Sequence, residues 1–130
     1  MPFEYEVLEP SGALRRYVEQ LWFARGTIQG ARERIAPTGS TVLGTVLGPP
    51  LLQWPRNGNG ELFTARDGFL IGPHDQPIVN EPTGSTWAVG IVTTPVGCRA
   101  ALGLDPVPLR GAISPPDSLD GFASLRRELL

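Results

Sequence analysis

Lysine is missing from this 130-residue chain, cysteine and histidine occur once each, and no apolar run approaches the length of a bilayer span. Each shortage excludes a class of chemistry. Without lysine, every basic residue is arginine, and no glycine-rich loop has the ammonium that a phosphate-binding motif requires; Gly58 and Gly60 belong to a turn, so nucleotide chemistry has no support. The arginines are scattered in ones and twos on a chain of net charge -2, which gives no basic stripe to neutralise phosphates and argues against nucleic-acid binding by this segment. The single Cys98 excludes an internal disulfide and reads as a small buried residue, since Arg99 alone does not make a reactive thiol. Nothing signals secretion: the opening Met1-Pro-Phe-Glu-Tyr-Glu lacks the basic and apolar regions of a signal peptide. A cytoplasmic protein with no membrane partner is expected. A lone His74 excludes the multi-histidine set of a metal-binding barrel and leaves no partner for a Ser-His-Asp or Cys-His arrangement, so neither metal nor other cofactor is expected. Its setting, Gly72-Pro73-His74-Asp75, reads as a turn with the imidazole in solvent.

Glycine and proline, by contrast, are abundant at 16 and 14 residues, and they punctuate short runs rich in Val, Ile, Leu, Thr and Trp. That spacing is typical of a mainly β domain, a sandwich or barrel, and the length suits one domain with one core. Residues 3–8 alternate apolar and acidic side chains, as in a half-exposed strand. Ser11 is placed to cap a helical turn through Tyr17, with Leu14 pointing inward. Residues 18–27 read as a strand with Val18, Gln20, Trp22 and Ala24 on one face and Leu21, Phe23 and Arg25 on the other. Residues 32–36 and 41–47 flank the Pro37-Thr38-Gly39 turn, and the second run is apolar throughout, as for a central strand covered on both faces. Asn57-Gly58-Asn59-Gly60 between residues 51–55 and 61–65 predicts a tight hairpin, because Asn-Gly supplies positive φ. Residues 68–72, 76–81 and 86–94 complete the strands. In the last, Trp87, Val89 and Ile91 oppose the smaller Ala88, Gly90 and Val92, a face that suits either close packing or a cavity.

The pattern changes after Pro95. Residues 96–102 read as a short helix stopped by Gly103, and a second helix is predicted from Asp117 or Ser118 to the end. Its face of Leu119, Phe122, Leu125, Arg126 and Leu129 must pack on the barrel or on another chain. The chain thus divides into a barrel over about residues 1–94 and a helical part over about 95–130.

Three motifs follow one another in a fixed order: Ile35-Ala-Pro-Thr-Gly39, Leu70-Ile-Gly-Pro73, and a block from Glu81-Pro-Thr-Gly84 through Gly90-Ile-Val-Thr-Thr-Pro-Val-Gly97 to Gly103. Their order resembles the N-terminal, effector-side domain of a subset of AraC/XylS-type transcription regulators, over a stretch from about Glu4 to the last residue. Within that likeness, Thr38 and Thr93-Thr94 stand where the family usually carries an acidic and an aromatic residue. The resemblance implies a cupin-like barrel followed by one or two helices, a small-molecule effector and a homodimer. In that family the helices after the barrel serve dimerisation, which assigns Leu119, Phe122, Leu125 and Leu129 to an interface. It also implies that the helix-turn-helix output domain is not part of this segment.

For ligand binding the candidates are Trp22, Trp54 and Trp87, because aromatic walls with a few placed polar groups hold small organic molecules inside barrels. Trp22 and Trp87 lie in the two longest strands. Gln20 and Glu81 are the candidate polar contacts, and Arg25 and Arg34 either meet a ligand carboxylate or stay in solvent. The expected role is non-enzymatic sensing or dimerisation. Two alternatives stand beside it: a stand-alone barrel acting as a cofactor-free enzyme that encloses and orients a small organic substrate, and a dimerisation module without a pocket.

Overall fold

The computed structural model of the protein describes residues 3–27 and 32–130, over which the chain forms ten strands and two α-helices. The strands are β1 (Glu4–Leu8), β2 (Val18–Gly26), β3 (Glu33–Ile35), β4 (Val42–Val46) and β5 (Leu51–Trp54). They continue with β6 (Phe63–Ala65), β7 (Gly68–Ile71), β8 (Ile78–Pro82), β9 (Thr86–Thr93) and β10 (Ile113–Ser114). The helices α1 (Gly97–Leu102) and α2 (Phe122–Leu129) follow β9 and β10 respectively. Every strand pair is antiparallel, in a six-stranded sheet of order β1-β2-β9-β4-β7-β10 and a four-stranded sheet of order β3-β8-β5-β6. Among the described residues, no helix is long and apolar enough to cross a membrane.

The protein is therefore mainly β, as its punctuated apolar runs predict, and it takes the form of two sheets packed on each other. The principal core lies between them: Val42, Val46, Phe69 and Ile71 of the large sheet meet Leu51, Ala65 and Ile78 of the small one. A second core forms on the far side of the large sheet, where Leu43 and Leu70 pack with Phe122. Strand β4 lies fourth of six in its sheet, is buried at every position and contributes to both cores. This is the covered central strand that its unbroken apolar run predicts.

One row across the large sheet governs its inner face. Trp22 pairs with Gly90, Gly90 with Gly44, and Gly44 with Phe69, so two glycines lie between two aromatics on four successive strands. The rings fold inward over the glycines and stack, with centroids 6.3 Å apart and planes 19° apart. A Cβ at Gly44 would meet the Phe69 ring, and one at Gly90 would meet both the Trp22 indole and the Leu43 carbonyl oxygen. The small face of β9 thus accommodates close packing at Gly90, while Ala88 and Val92 on either side border open space.

Several local expectations are corrected. Strand β1 is exposed at every position because it is an edge strand, and the turn at Gly12–Arg16 is a 3₁₀ turn with no side-chain cap from Ser11 and with Leu14 47% exposed. The β5–β6 hairpin exists, but residues 55–62 make a broad loop rather than a tight turn. Positive φ falls at Arg56, Asn57 and Gly58, and tertiary bonds hold the loop open: the Asn57 amide donates to the Pro77 carbonyl at 2.7 Å, and Arg34 Nε donates to Asn57 Oδ1 at 2.8 Å. At the C-terminal end, Pro116–Ser118 is a 3₁₀ turn, and Gly121 at φ 80° breaks the chain before α2, which starts four or five residues later than its periodicity suggests. Helix α1 ends at Gly103 in the left-handed conformation, as predicted.

Replacing Gly90 by alanine is expected to destabilise the fold by about 1–3 kcal/mol through overpacking, more than the roughly 0.5–1 kcal/mol that alanine otherwise gains over glycine inside a strand. Gly44→Ala should also destabilise, because its Cβ would push the buried Phe69 ring off its stack with Trp22. Urea midpoints check both, and a more stable Gly90→Ala variant would show that the indole does not depend on this glycine.

Candidate functional site

The two sheets part on one side. There the outer strand β1 of the large sheet and the outer strand β3 of the small one leave a cavity of about 630 Å³ between the inner faces. Its inner wall is apolar and buried, made by Val42, Phe69, Ile71 and Ala88 of the large sheet and Leu51 of the small one, with the Trp22 ring beside them. Its mouth is polar and exposed, with Tyr5, Glu19 and Glu33 on the rim and Phe3, Ala36 and Pro37 between them.

Strand register places the polar side chains. Glu33 pairs with Asn80 and Asn80 with Gln53, so the three lie in one row across the small sheet. Gln53 Nε2 donates to Asn80 Oδ1 at 3.1 Å, and Asn80 Nδ2 donates to Glu33 Oε1 at 3.1 Å. This chain runs from the fully buried Gln53 outward, fixes the Asn80 amide and holds the Glu33 carboxylate at the rim. Gln53 Oε1 itself is buried without a partner. On the opposite wall a β-bulge between Val18 and Gln20 breaks the alternation of β2, and Glu19 joins Gln20 on the lining instead of turning outward with Leu21. Ser40 Oγ donates to Glu19 Oε2 at 3.2 Å and anchors it. The Tyr5 phenol is held above its ordinary pKa, first by partial burial and then by the nearby negative charge of Glu33.

Of the five candidate binding residues, Gln20 and Trp22 line this cavity; Trp87, Trp54 and Glu81 do not. Trp87 faces the other side of the large sheet, in edge contact with Phe23 and with the Arg25 guanidinium 5.2 Å from its ring centroid. Trp54 and Glu81 face outward from the small sheet, where Arg32 lies 5.1 Å from the Trp54 centroid and 3.6 Å from Glu81 Oε1. The division has one source: a strand's two faces are distinguishable in sequence, but which faces inward depends on what packs against it. Glu19, Glu33, Asn80 and Tyr5 escaped notice because their role comes from a bulge, a cross-strand row and an edge position. Arg34 borders the cavity, but its guanidinium is directed to Asn57.

The four residues assigned to an interface divide. Phe122 is 6% exposed in the second core and Leu119 packs beside it, so both are used within the chain. Leu125 and Leu129 stay 44% and 38% exposed, along an apolar groove of about 300 Å³ that also includes Leu8, Leu21 and Phe23. Arg126, on the same helix, donates from Nε to the Val46 carbonyl at 3.0 Å and thereby ties α2 to the sheet. His74 also departs from expectation: its Nδ1 lies 2.9 Å from the Gly72 carbonyl oxygen and its Nε2 is buried without a partner, so the ring is tucked against the turn rather than solvated. Among the described residues, no group of three or more His, Cys, Asp or Glu side chains gathers as metal ligands do.

A family profile described as "Domain of unknown function (DUF6597)" matches residues 6–114. The chain belongs to this family. Comparisons with curated proteins and with solved structures found no match. The matched span of the DUF6597 family holds all of the cavity lining except Phe3 and Tyr5, and it stops short of α2.

In a Tyr17→Phe variant, where Tyr5 is the sole tyrosine, an absorbance titration should place the phenol above about 10, the usual value for tyrosine. Because the folded-state value is raised, this group's contribution to stability is complete below the unfolded pKa and is lost as pH rises through the folded one. Adding Glu33→Gln should move the titration downward; an unchanged curve would show that Glu33 exerts no field at Tyr5.

Proposed function

We propose that this domain binds a small organic molecule between its sheets and serves as a non-enzymatic sensing domain in the cytoplasm. The observation that carries this reading is the cavity: about 630 Å³, apolar within and polar at one open side. Small-molecule sites typically run from about 300 to 1,000 Å³ and combine an apolar lining with a few placed polar groups. The order of the three sequence motifs, with its likeness to the effector domains of AraC/XylS-type regulators, supports the same reading and gives it a purpose, transcriptional control through an output domain. The likeness and the half-exposed Leu125 and Leu129 together support a homodimer formed through α2.

Native mass spectrometry of the protein incubated with a small-molecule extract should capture one compound per chain, unaltered. A captured compound absent from the starting extract would replace sensing by catalysis. At a hundredfold excess over its Kd, the ligand should stabilise the fold by about 2.7 kcal/mol, read as a rise in melting temperature. Ala88→Leu, which adds methyl groups to the buried inner wall, should retain the fold and weaken uptake by about tenfold or more, roughly 1.4 kcal/mol. Uptake unchanged in that variant would place the site elsewhere.

Leu125→Asp is expected to convert dimers to monomers in sedimentation velocity with the fold intact, since this side chain contributes little to the intrachain core. A variant that keeps the parent's mass would remove α2 from the interface.

A further inference from the structure

We propose that the cavity is selective for ligands with a cationic, ammonium-type head on an apolar ring-bearing body, the head held at the mouth by Glu33, with Glu19 adding negative charge further along the lining, and the body lying against Trp22 and Phe69. The inference rests on the cavity being the binding site, and it names the chemistry that the site selects.

The charge of the lining is one-sided. Among the described lining residues, Glu19 and Glu33 carry negative charge and Arg34 is the only cation. Neighbours on a strand point to opposite faces: Glu33 pairs with Asn80, whose neighbours across the sheet line the interior, while Arg34 pairs with Val79 and reaches the hairpin loop at Asn57. The cationic end of Arg34 is thus spent on the outside of the small sheet, and among the described residues no other cationic side chain lines the cavity with the two carboxylates.

The carboxylates are also held ready. Asn80 accepts from Gln53 with its oxygen and donates to Glu33 from its amide, which fixes its orientation and keeps the Glu33 carboxylate in place with its remaining acceptor sites open. Ser40 does the same for Glu19 with one hydrogen bond. A bound ammonium would find preset acceptors, whereas a carboxylate ligand would enter against like charge with no arginine to receive it. Glu33 also lies near enough to Tyr5 to add to the raising of its phenol pKa, which partial burial begins. Deeper in, the stacked Trp22 and Phe69 rings present a flat apolar surface that suits a planar or ring-bearing body.

The test uses three probes with one body and different heads: phenylbutylamine, phenylbutanol and phenylbutyrate, titrated calorimetrically at neutral pH and low ionic strength. The ammonium should bind about three- to tenfold tighter than the alcohol, the carboxylate should bind weakest, and the ammonium's advantage should shrink as salt is added, because the acceptors are partly exposed. Glu33→Gln, which keeps an oxygen for Asn80, should remove most of that advantage and leave alcohol binding unchanged; Glu19→Gln gives an independent second variant. Carboxylate binding tightest, or equal affinity for the three heads, would overturn the charge selectivity while leaving the cavity as the site. If none of the three binds, this inference falls, and the capture experiment with the extract decides separately whether the cavity is a binding site.

Discussion

The stacking of Trp22 on Phe69 across a pair of glycines is the constraint on which the rest of the large sheet depends. Two strands separate the residues bearing these rings, and only a missing Cβ at both Gly90 and Gly44 lets the side chains lie down and meet. The result is a low, flat floor in the middle of the inner face. Ala24 and Ala88 on one side of the row keep the floor low, and Val42, Ile71 and Val92 on the other close it against the small sheet. Bulky side chains at the glycine positions would hold the rings upright and fill the space that is now cavity. Packing and the shape of the cavity are therefore set by the same four residues.

The polar rim follows from edges and irregularities. A regular β2 would point Glu19 away from the interior, and the bulge turns it in. Glu33 lies on a three-residue edge strand that is exposed at this position, and its place depends on a row of amides reaching back to the buried Gln53. Buried polar groups in such a row are costly unless satisfied, and here each amide uses its neighbour, with Gln53 Oε1 the one exception. The same economy appears at Thr93. Fully buried, its hydroxyl accepts from the Thr41 amide and donates to the Thr41 carbonyl, which seals the end of β9 against the turn that leads into β4.

On the far side of the large sheet the helices form a third layer. Phe122 fills the space over Gly68, where a Cβ would meet its ring, and Arg126 bonds the Val46 carbonyl near the end of β4. The helix is thus committed to its own sheet through one aromatic and one charged hydrogen bond, which leaves Leu125 and Leu129 with nothing of comparable size above them. A single apolar stripe serves two surfaces, and its division was decided by where the helix starts: Gly121 in the left-handed conformation resets the helix.

The sequence by itself determined the class of the protein. Strand positions, the covered central β4, the face division of β2 and β9 and the helix ending at Gly103 were all legible, because side-chain alternation and turn chemistry act locally. The same alternation puts Trp22 and Gln20 on one face of β2, the face that lines the cavity. The tertiary structure alone decided which face of each strand became interior, and so moved Trp87, Trp54 and Glu81 to the outside; alternation has no sign until another layer covers one face. It alone also brought Glu19, Glu33 and Tyr5 to one rim, because a bulge, a cross-strand row and two sheet edges are relations between distant segments that no local pattern encodes.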